Sequence, residues 1–189
     1  MEKIYQIVKN PHSVLRQKAS PVAASEITTP KIHELIERMK ATLKQTSDGV
    51  GLAAPQVGKA LSIFIVSEEA EEIDRAVSKE GWERRRKEDA SINERPYEKR
   101  PWRYYVFINP VVKSKSRAKQ DGHEGCLSVP GLFGNVMRQE KITVQAFDEH
   151  GKKFIRGSSH FFARVVQHEL DHLDGILFID KARSVVNTS

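Results

Sequence analysis

The stretch Gln167–Gly175 reads Gln-His-Glu-Leu-Asp-His-Leu-Asp-Gly and contains the pattern His-Glu-x-x-His. On a helix, His168 and His172 lie one turn apart on the same face, so both imidazoles can reach one metal ion while Glu169 projects beside them. A catalytic metal also needs a third protein ligand and an open position for water. The only cysteine of the chain, Cys126, is the obvious third donor. The sequence therefore predicts a metal-binding helix in this stretch.

The residues around this pattern indicate an amphipathic helix with one apolar face. Phe161 and Val165 precede the two histidines at helical spacing, so apolar side chains lead directly to the imidazoles. Ser159 is a candidate N-cap, and Gly175 is a candidate C′ residue. The alternative is a surface helix whose histidine pair faces solvent, and the same caps suit either interpretation.

Composition indicates a globular chain that forms one domain. The chain has 189 residues, of which 39% are hydrophobic and 30% are charged, with a net charge of +6. It contains no apolar run long enough to cross a membrane, and its N-terminus lacks the apolar stretch of a secretory signal. We therefore expect a cytoplasmic protein without membrane association. A single cysteine excludes an internal disulfide, and the dispersed basic residues are only weak evidence for an anionic partner.

Hydrophobic periodicity predicts several ordinary elements. Apolar residues recur at helical spacing from Pro30 to Lys44, and the proline occupies a favoured first-turn position, so this segment is predicted to be an amphipathic helix. Residues 11–18 predict a short helix. Strand patterns cover residues 61–66, 104–108, 111–112 and 141–147, and a turn at 148–151 leads to a further strand at 152–156.

Two glycine-flanked stretches differ from these ordinary elements. Residues 47–58 combine three glycines and a proline with one polar side chain, Gln56, in apolar company. Such a backbone can approach a ligand closely. A phosphate-binding loop is the competing idea, but the stretch lacks the Lys-Ser/Thr ending. Residues 121–131 surround Cys126, for which a core position, a nucleophilic role and metal ligation are all open; a thiolate with two imidazoles favours ligation.

The segment 67–103 is crowded with acidic and basic residues. Such a run is typically a solvated helix or loop, although Arg84–Lys87 could contact RNA phosphate. We expect a charged peripheral insertion that contributes no ligand or catalytic group.

Three motifs together resemble the peptide deformylase family. They are Gly49–Gln56, reading Gly-Val-Gly-Leu-Ala-Ala-Pro-Gln; Glu124–Ser128, reading Glu-Gly-Cys-Leu-Ser; and Gln167–His172. They occur in the family's order, and the resemblance runs from the N-terminus to about Asp180. It implies a single-domain α+β fold with antiparallel strands packed around a central metal-binding helix. It also implies a metallohydrolase that removes the formyl group from the N-terminal formylmethionine of nascent chains and releases formate.

The resemblance implies specific roles in the reaction. Cys126, His168 and His172 would bind one divalent metal, typically Fe(II), with zinc, nickel or cobalt appearing in purified material. Glu169 would take a proton from the attacking water and pass it to the departing amine. This role also follows from its place beside a ligand.

The negative charge that develops on the formyl oxygen needs donors besides the metal. The resemblance assigns these to the Gln56 side-chain amide and the Leu127 backbone N–H.

Substrate contacts also follow from the resemblance. Gly51 and Gly125 would present backbone to the peptide, while Val50, Phe161 and Val165 would line a pocket for the methionine side chain.

The sequence departs from the family's pattern near this pocket. Phe133 aligns with an arginine of several relatives, and Arg164 stands where an apolar pocket residue is expected. Glu124 and Arg138 are candidates for a buried ion pair that supports the cysteine loop, with a surface pair as the alternative.

Two rival functions remain open at this level. One is a metallopeptidase that cuts internal peptide bonds, and the other is a noncatalytic RNA-associated protein with a structural metal. N-formylmethionyl peptides are the partners that the resemblance implies, while transient ribosome contact and the oligomeric state stay open.

Overall fold

The computed structural model describes residues 4–77 and 103–187. Within these ranges, the helices are α1 (Pro30–Lys44), α2 (Glu69–Val77) and α3 (His160–Leu173). Short 3-10 turns cover Ser13–Arg16, Ala54–Val57 and Phe178–Asp180. The strands are β1 (Gly51–Ala53), β2 (Ile63–Ser67), β3 (Tyr104–Lys115), β4 (Lys119–Gln120), β5 (His123–Cys126), β6 (Val129–Asn135), β7 (Arg138–Gln139), β8 (Lys141–Phe147), β9 (Lys153–Ser159) and β10 (Val185–Asn187).

The main sheet has five strands in the order β1-β2-β3-β8-β9, and each neighbouring pair is antiparallel. All residues of β2 are buried. Phe64 and Val66 belong to one core cluster, whereas Ile63 and Ile65 belong to another. Because neighbouring residues of a strand point to opposite faces, β2 reads as a continuous apolar run and not as an alternation.

Helices α1 and α3 cover opposite faces of this sheet. Ile36 and Met39 of α1 pack in the cluster that contains Ile63. Phe162 and Val166 of α3 pack in the other cluster. The apolar face of α3 is therefore fixed against the sheet, and this packing determines where its polar residues lie.

Cys126 lies on a separate, three-stranded sheet in the order β10-β6-β5. It is the last residue of β5 and pairs with Val129 across the hairpin that joins β5 to β6. A third core cluster, which includes Leu15, Val129 and Phe178, packs beneath this sheet. The thiol thus comes from the three-stranded sheet and both imidazoles come from α3, and the core brings these elements together.

The structure confirms the predicted α+β class and the antiparallel strands around a central helix. Helix α1 has the predicted bounds, as does β8. The predicted short helix at 11–18 is only a 3-10 turn, and the two strand patterns at 104–112 are one strand with register shifts. Among the described residues, no helix is long and apolar enough to span a membrane.

The charged segment differs in part from the expected peripheral insertion. Its first residues form α2, whose Ala70 is fully buried in the core cluster that holds Phe162. Asp74 on the same helix accepts hydrogen bonds from the N-terminus of α3. This helix therefore belongs to the body of the domain, whereas residues 78–102, including Arg84–Lys87, lie outside the described residues.

Candidate active site

Cys126, His168 and His172 converge on one point. One donor atom from each residue lies within 4.8 Å of the others. Cys126 Sγ is 3.3 Å from His172 Nε2. The two histidines are one helical turn apart on α3, and the end of β5 brings the thiol to the same place. The predicted constellation thus brings Cys126 to two histidines that follow it by more than forty positions in the chain.

The ring of His168 is oriented by a carboxylate. Its Nδ1 lies 3.0 Å from Glu124 Oε2, which leaves Nε2 for a metal ion. Burial alone would lower the pKa of His168, but the adjacent Cys126 and Glu124 raise it well above its ordinary value. The space between these groups therefore favours a positive charge.

Glu124 is the centre of a buried ionic network. Arg138 donates to both of its carboxylate oxygens at 2.8 Å, and Arg164 donates to one of them at 2.9 Å. Burial opposes ionisation, but the hydrogen bonds from Arg138 and His168 hold the pKa of Glu124 well below its usual range. Arg138 also pairs with Asp171 on α3. The predicted pair of Glu124 and Arg138 is therefore buried, and it ties β5, β7 and α3 together.

The donor set fits a divalent first-row ion. Burial lowers the pKa of His172 well below its ordinary value, so this imidazole is neutral, which is the form that binds metals. One thiolate and two imidazoles give a negative ligand and two neutral ones, and a fourth position remains for water or substrate. The same set accepts Fe(II), zinc, nickel or cobalt.

Glu169 lies beside the ligands in a buried position. Its side chain is only 3% exposed, and Oε2 has no hydrogen-bond partner among the described residues. Burial raises the pKa of this carboxyl to about 7, and the charge of His168 offsets the rise only in part. A Cβ at Gly51 would lie 2.4 Å from Glu169 Oε1, so the absence of a side chain at Gly51 leaves room for the carboxylate. A carboxyl that titrates near neutral pH is suited to proton transfer.

A cavity of about 390 Å³ opens over these groups. Its wall includes ten of the residues that the sequence predicts for the site: Val50, Gly51, Gln56, Gly125, Cys126, Leu127, Phe161, Val165, His168 and Glu169. The remaining one, His172, is buried and contacts Cys126. A larger groove, about 530 Å³, lies elsewhere and contains none of the predicted site residues.

Gln56 presents its amide to this cavity in a fixed orientation. Its Oε1 accepts a hydrogen bond from the backbone N–H of Ala53 at 2.8 Å. Its Nε2 consequently points towards Cys126 Sγ at 3.6 Å and Ser128 Oγ at 3.4 Å. The glycine-rich stretch thus ends in a 3-10 turn that holds one N–H donor beside the thiol.

The chain matches the family model described as polypeptide deformylase over residues 4–188. The chain belongs to the polypeptide deformylase family. It is 40% identical to a peptide deformylase of Desulfitobacterium hafniense over 95% of both chains. It is 38% identical to that of Symbiobacterium thermophilum over 96% of this chain and 68% of the relative.

Solved structures of the family have the same fold. A class I type b peptide deformylase from Acinetobacter baumannii, in its Met-Ala-Ser bound form, is 30% identical and superposes with a TM-score of 0.75 over 96% of this chain and 99% of that chain. The peptide deformylase of Thermotoga maritima is 29% identical, with a TM-score of 0.73 over 96% of this chain and 99% of that chain. This protein is accordingly a metal-dependent hydrolase that removes the formyl group from N-terminal formylmethionine.

Arg164 differs from the expectation of an apolar pocket residue in the family's pattern. It lines the cavity, but its guanidinium turns to Glu124 and donates to the carbonyl oxygens of Val136 and Gln120 at 2.8 Å each. Its hydrogen bonds are satisfied within the protein, so it supports the Glu124 network. Sequence reasoning missed this role because Arg164 and Glu124 are forty residues apart.

Two other residues were missed for similar reasons. Lys9 lines the cavity and its ammonium group donates to the carbonyl oxygen of Leu127. Asp74 caps α3 from within a stretch that reads as solvated. Neither lies in a motif, and only the fold brings Lys9 to the cavity and Asp74 to the start of α3.

Proposed function

We propose that Cys126, His168 and His172 hold one divalent ion, with Fe(II) as the native metal, and that the surrounding residues divide the work of deformylation. The convergence of the three donor atoms within 4.8 Å beside a buried glutamate carries the ligand assignment, and Fe(II) is the ion that the resemblance to the family implies. A divalent ion bound here supplies a Lewis acid that lowers the pKa of water and polarises the formyl oxygen.

Glu169 is the proton carrier in this proposal. Its carboxylate takes a proton from the water that attacks the formyl carbon and delivers it to the nitrogen of the departing amine. Its pKa of about 7 supports both halves of this transfer, because the group can accept and release a proton near neutral pH. The space left by Gly51 lets the carboxylate face the cavity.

Gln56 and Leu127 stabilise the negative charge that develops on the formyl oxygen. The Gln56 amide is held by Ala53 before substrate arrives, so little reorganisation is needed. The Leu127 backbone N–H directly follows Cys126 at the cavity wall and supplies a second donor.

The methionine side chain binds against Val50, Phe161 and Val165, which line the same cavity. Gly51 and Gly125 offer backbone groups to the peptide. The relative from Acinetobacter baumannii with bound Met-Ala-Ser supports a methionyl peptide as the occupant of this cavity.

The test is metal content and formate release after anaerobic purification. Cys126→Ala should lose stoichiometric metal and turnover of formyl-Met peptides, because two imidazoles alone bind a divalent ion weakly. His150→Ala, at an exposed turn, is the matched control and should behave as wild type. Full metal and activity in Cys126→Ala would show that the ligand assignment is wrong. Cleavage of internal bonds in unformylated peptides would instead indicate a peptidase.

The proposed setting is the cytoplasm, where nascent chains emerge and thiols stay reduced. The single cysteine as a metal ligand suits a reducing compartment. Transient ribosome contact would bring nascent chains to the cavity, and co-sedimentation of the protein with translating ribosomes tests it.

A further inference from the structure

The N-terminus of α3 is capped by a residue that is distant in sequence. Ser159 occupies the N-cap position, but its side chain makes no capping hydrogen bond. His160 then has a φ of +50°, which is uncommon for a residue other than glycine. The next two N–H groups, of Phe161 and Phe162, donate to Asp74 Oδ1 at 2.7 Å and Oδ2 at 2.9 Å. One carboxylate thus satisfies two of the N–H groups that a helix start leaves without an internal partner.

Asp74 is rigidly held because α2 is anchored on the body of the domain. Ala70 is fully buried in the core. Glu71 accepts a hydrogen bond from the Tyr105 hydroxyl at 2.8 Å and pairs with Arg156. The Arg156 guanidinium lies over the Tyr105 ring, 3.8 Å from its centroid. The carboxylate of Asp74 is therefore a fixed point against which α3 is placed.

The capped residues include a wall of the substrate cavity. Phe161 donates its own backbone N–H to Asp74, and its side chain lines the cavity together with Val165. Gly125 and Leu127, which line the same cavity, lie on or next to the three-stranded sheet. A shift at the start of α3 would change the width of the cavity at Phe161 first.

We propose that Asp74 is a positioning residue for the methionine pocket, fixing the place of Phe161 and so the enzyme's preference for a methionine side chain. The inference rests on the proposed function, in which Phe161 forms part of that pocket. Asp74 acts through Phe161, so it is not a catalytic residue. The charged segment thereby contributes to substrate selection.

A capping residue that only stabilised the helix would leave selectivity unchanged, so selectivity is the readout. The measurement is the ratio of kcat/KM for formyl-Met-Ala-Ser to that for formyl-Ala-Ala-Ser, obtained from formate release. This ratio does not depend on the fraction of enzyme that is folded and loaded with metal. Asp74→Ala removes both acceptors and should lower the ratio about tenfold, the scale on which apolar pocket contacts discriminate. The change should come mainly from a higher KM for the methionyl peptide.

A milder replacement of Asp74 and a control on the same helix accompany this variant. Asp74→Asn keeps one carbonyl oxygen as acceptor and should give an intermediate ratio. Glu69→Ala removes a carboxylate from the first turn of the same helix, five residues before Asp74, so it should retain the wild-type ratio.

Phe161→Ala separates failure of this inference from failure of the proposed pocket. An unchanged ratio in Phe161→Ala would contradict the assignment of Phe161 to the methionine pocket, and the inference about Asp74 would fail with it. A lowered ratio in Phe161→Ala together with a wild-type ratio in folded Asp74→Ala would overturn the inference alone. If Asp74→Ala does not fold, Asp74→Asn decides: a lowered ratio supports positioning, and a wild-type ratio overturns it.

Discussion

Among single residues, Glu169 is the side chain whose proposed role can be tested most directly. Glu169→Gln keeps the size of the side chain and removes the carboxylate that we propose as the proton carrier. The variant should retain its metal, because Glu169 is not among the proposed ligands, and lose at least about 10²-fold in kcat, the usual contribution of general acid–base catalysis.

Metal analysis and single-turnover formate release measure these two effects separately. Glu26→Gln, at an exposed position, is the control for the same chemical change. A near-normal rate in metal-loaded Glu169→Gln would assign proton transfer to another group.

Gly51 has no side chain, and the Glu169 carboxylate occupies the space that a Cβ at Gly51 would need. A Cβ at Gly51 would lie 2.4 Å from Glu169 Oε1 and 3.0 Å from Val165, so Gly51→Ala must displace the carboxylate. We expect a fall in kcat of about 10²-fold, as a misplacement of about 1 Å produces, with metal content retained.

Gly157→Ala is the matched control, since a Cβ there would meet nothing within 4 Å. Both kcat and the thermal midpoint should be measured for the pair. Normal turnover in Gly51→Ala would show that Glu169 tolerates displacement and that its position is less constrained than the geometry indicates.

At the scale of elements, the sequence predicted those whose pattern is local. The period of apolar residues in α1 and the alternation in β8 follow from the segments themselves. Strands β5 and β6 were missed because glycines and a proline interrupt their patterns, although the two strands pair with each other, with a register shift after Gly125. Helix α2 was predicted to be solvated because most of its residues are charged. One face of the helix is buried, where Ala70 packs in the core.

The candidate site was predictable to the same extent. Donor types and spacing indicated Cys126, His168 and His172, because metal chemistry restricts the choice of residue. The supporting contacts of Arg164 were not predictable, since a charged residue becomes a buried partner only when the fold brings Glu124 and several carbonyl oxygens to it.

Arg138 ties three elements together, so its replacement should affect both stability and metal binding. Its guanidinium joins Glu124 on β5 to Asp171 on α3. Arg138→Met would leave Glu124 buried with less compensation, which typically costs about 3–5 kcal/mol of stability. Because Glu124 also orients His168, metal affinity should fall by about 10–100-fold.

Thermal unfolding and competition with a chelator measure these effects. Arg183→Met removes the same charge from an exposed position and is the control. Unchanged metal affinity in a destabilised Arg138→Met variant would show that the network stabilises the fold without orienting His168.

At the scale of the whole molecule, the charged segment divides into a part that supports α3 and a part whose removal the enzyme should tolerate. The carbonyl oxygen of Arg103 accepts a hydrogen bond from Glu68 N at 2.8 Å, so Arg103 lies at the start of α2. Val77 is at the other end of this nine-residue helix, about 12–14 Å away at the usual rise per residue. A linker of about eight Gly and Ser residues spans that distance easily.

Two shortened chains test this division of the charged segment. The first joins Val77 to Arg103 through this linker and keeps α2. It should bind metal stoichiometrically and release formate at a near-parental rate, since the proposed ligands and the described cavity residues all lie outside 78–102 and loop length contributes little to the closure entropy. The second joins Glu68 to Arg103 and lacks α2. It should have a lower thermal midpoint and a weaker preference for formylmethionyl peptides, because Asp74 no longer caps α3.

Loss of metal or turnover in the first variant would place a necessary contribution within residues 78–102. Wild-type stability and selectivity in the second would show that α3 holds its position without α2.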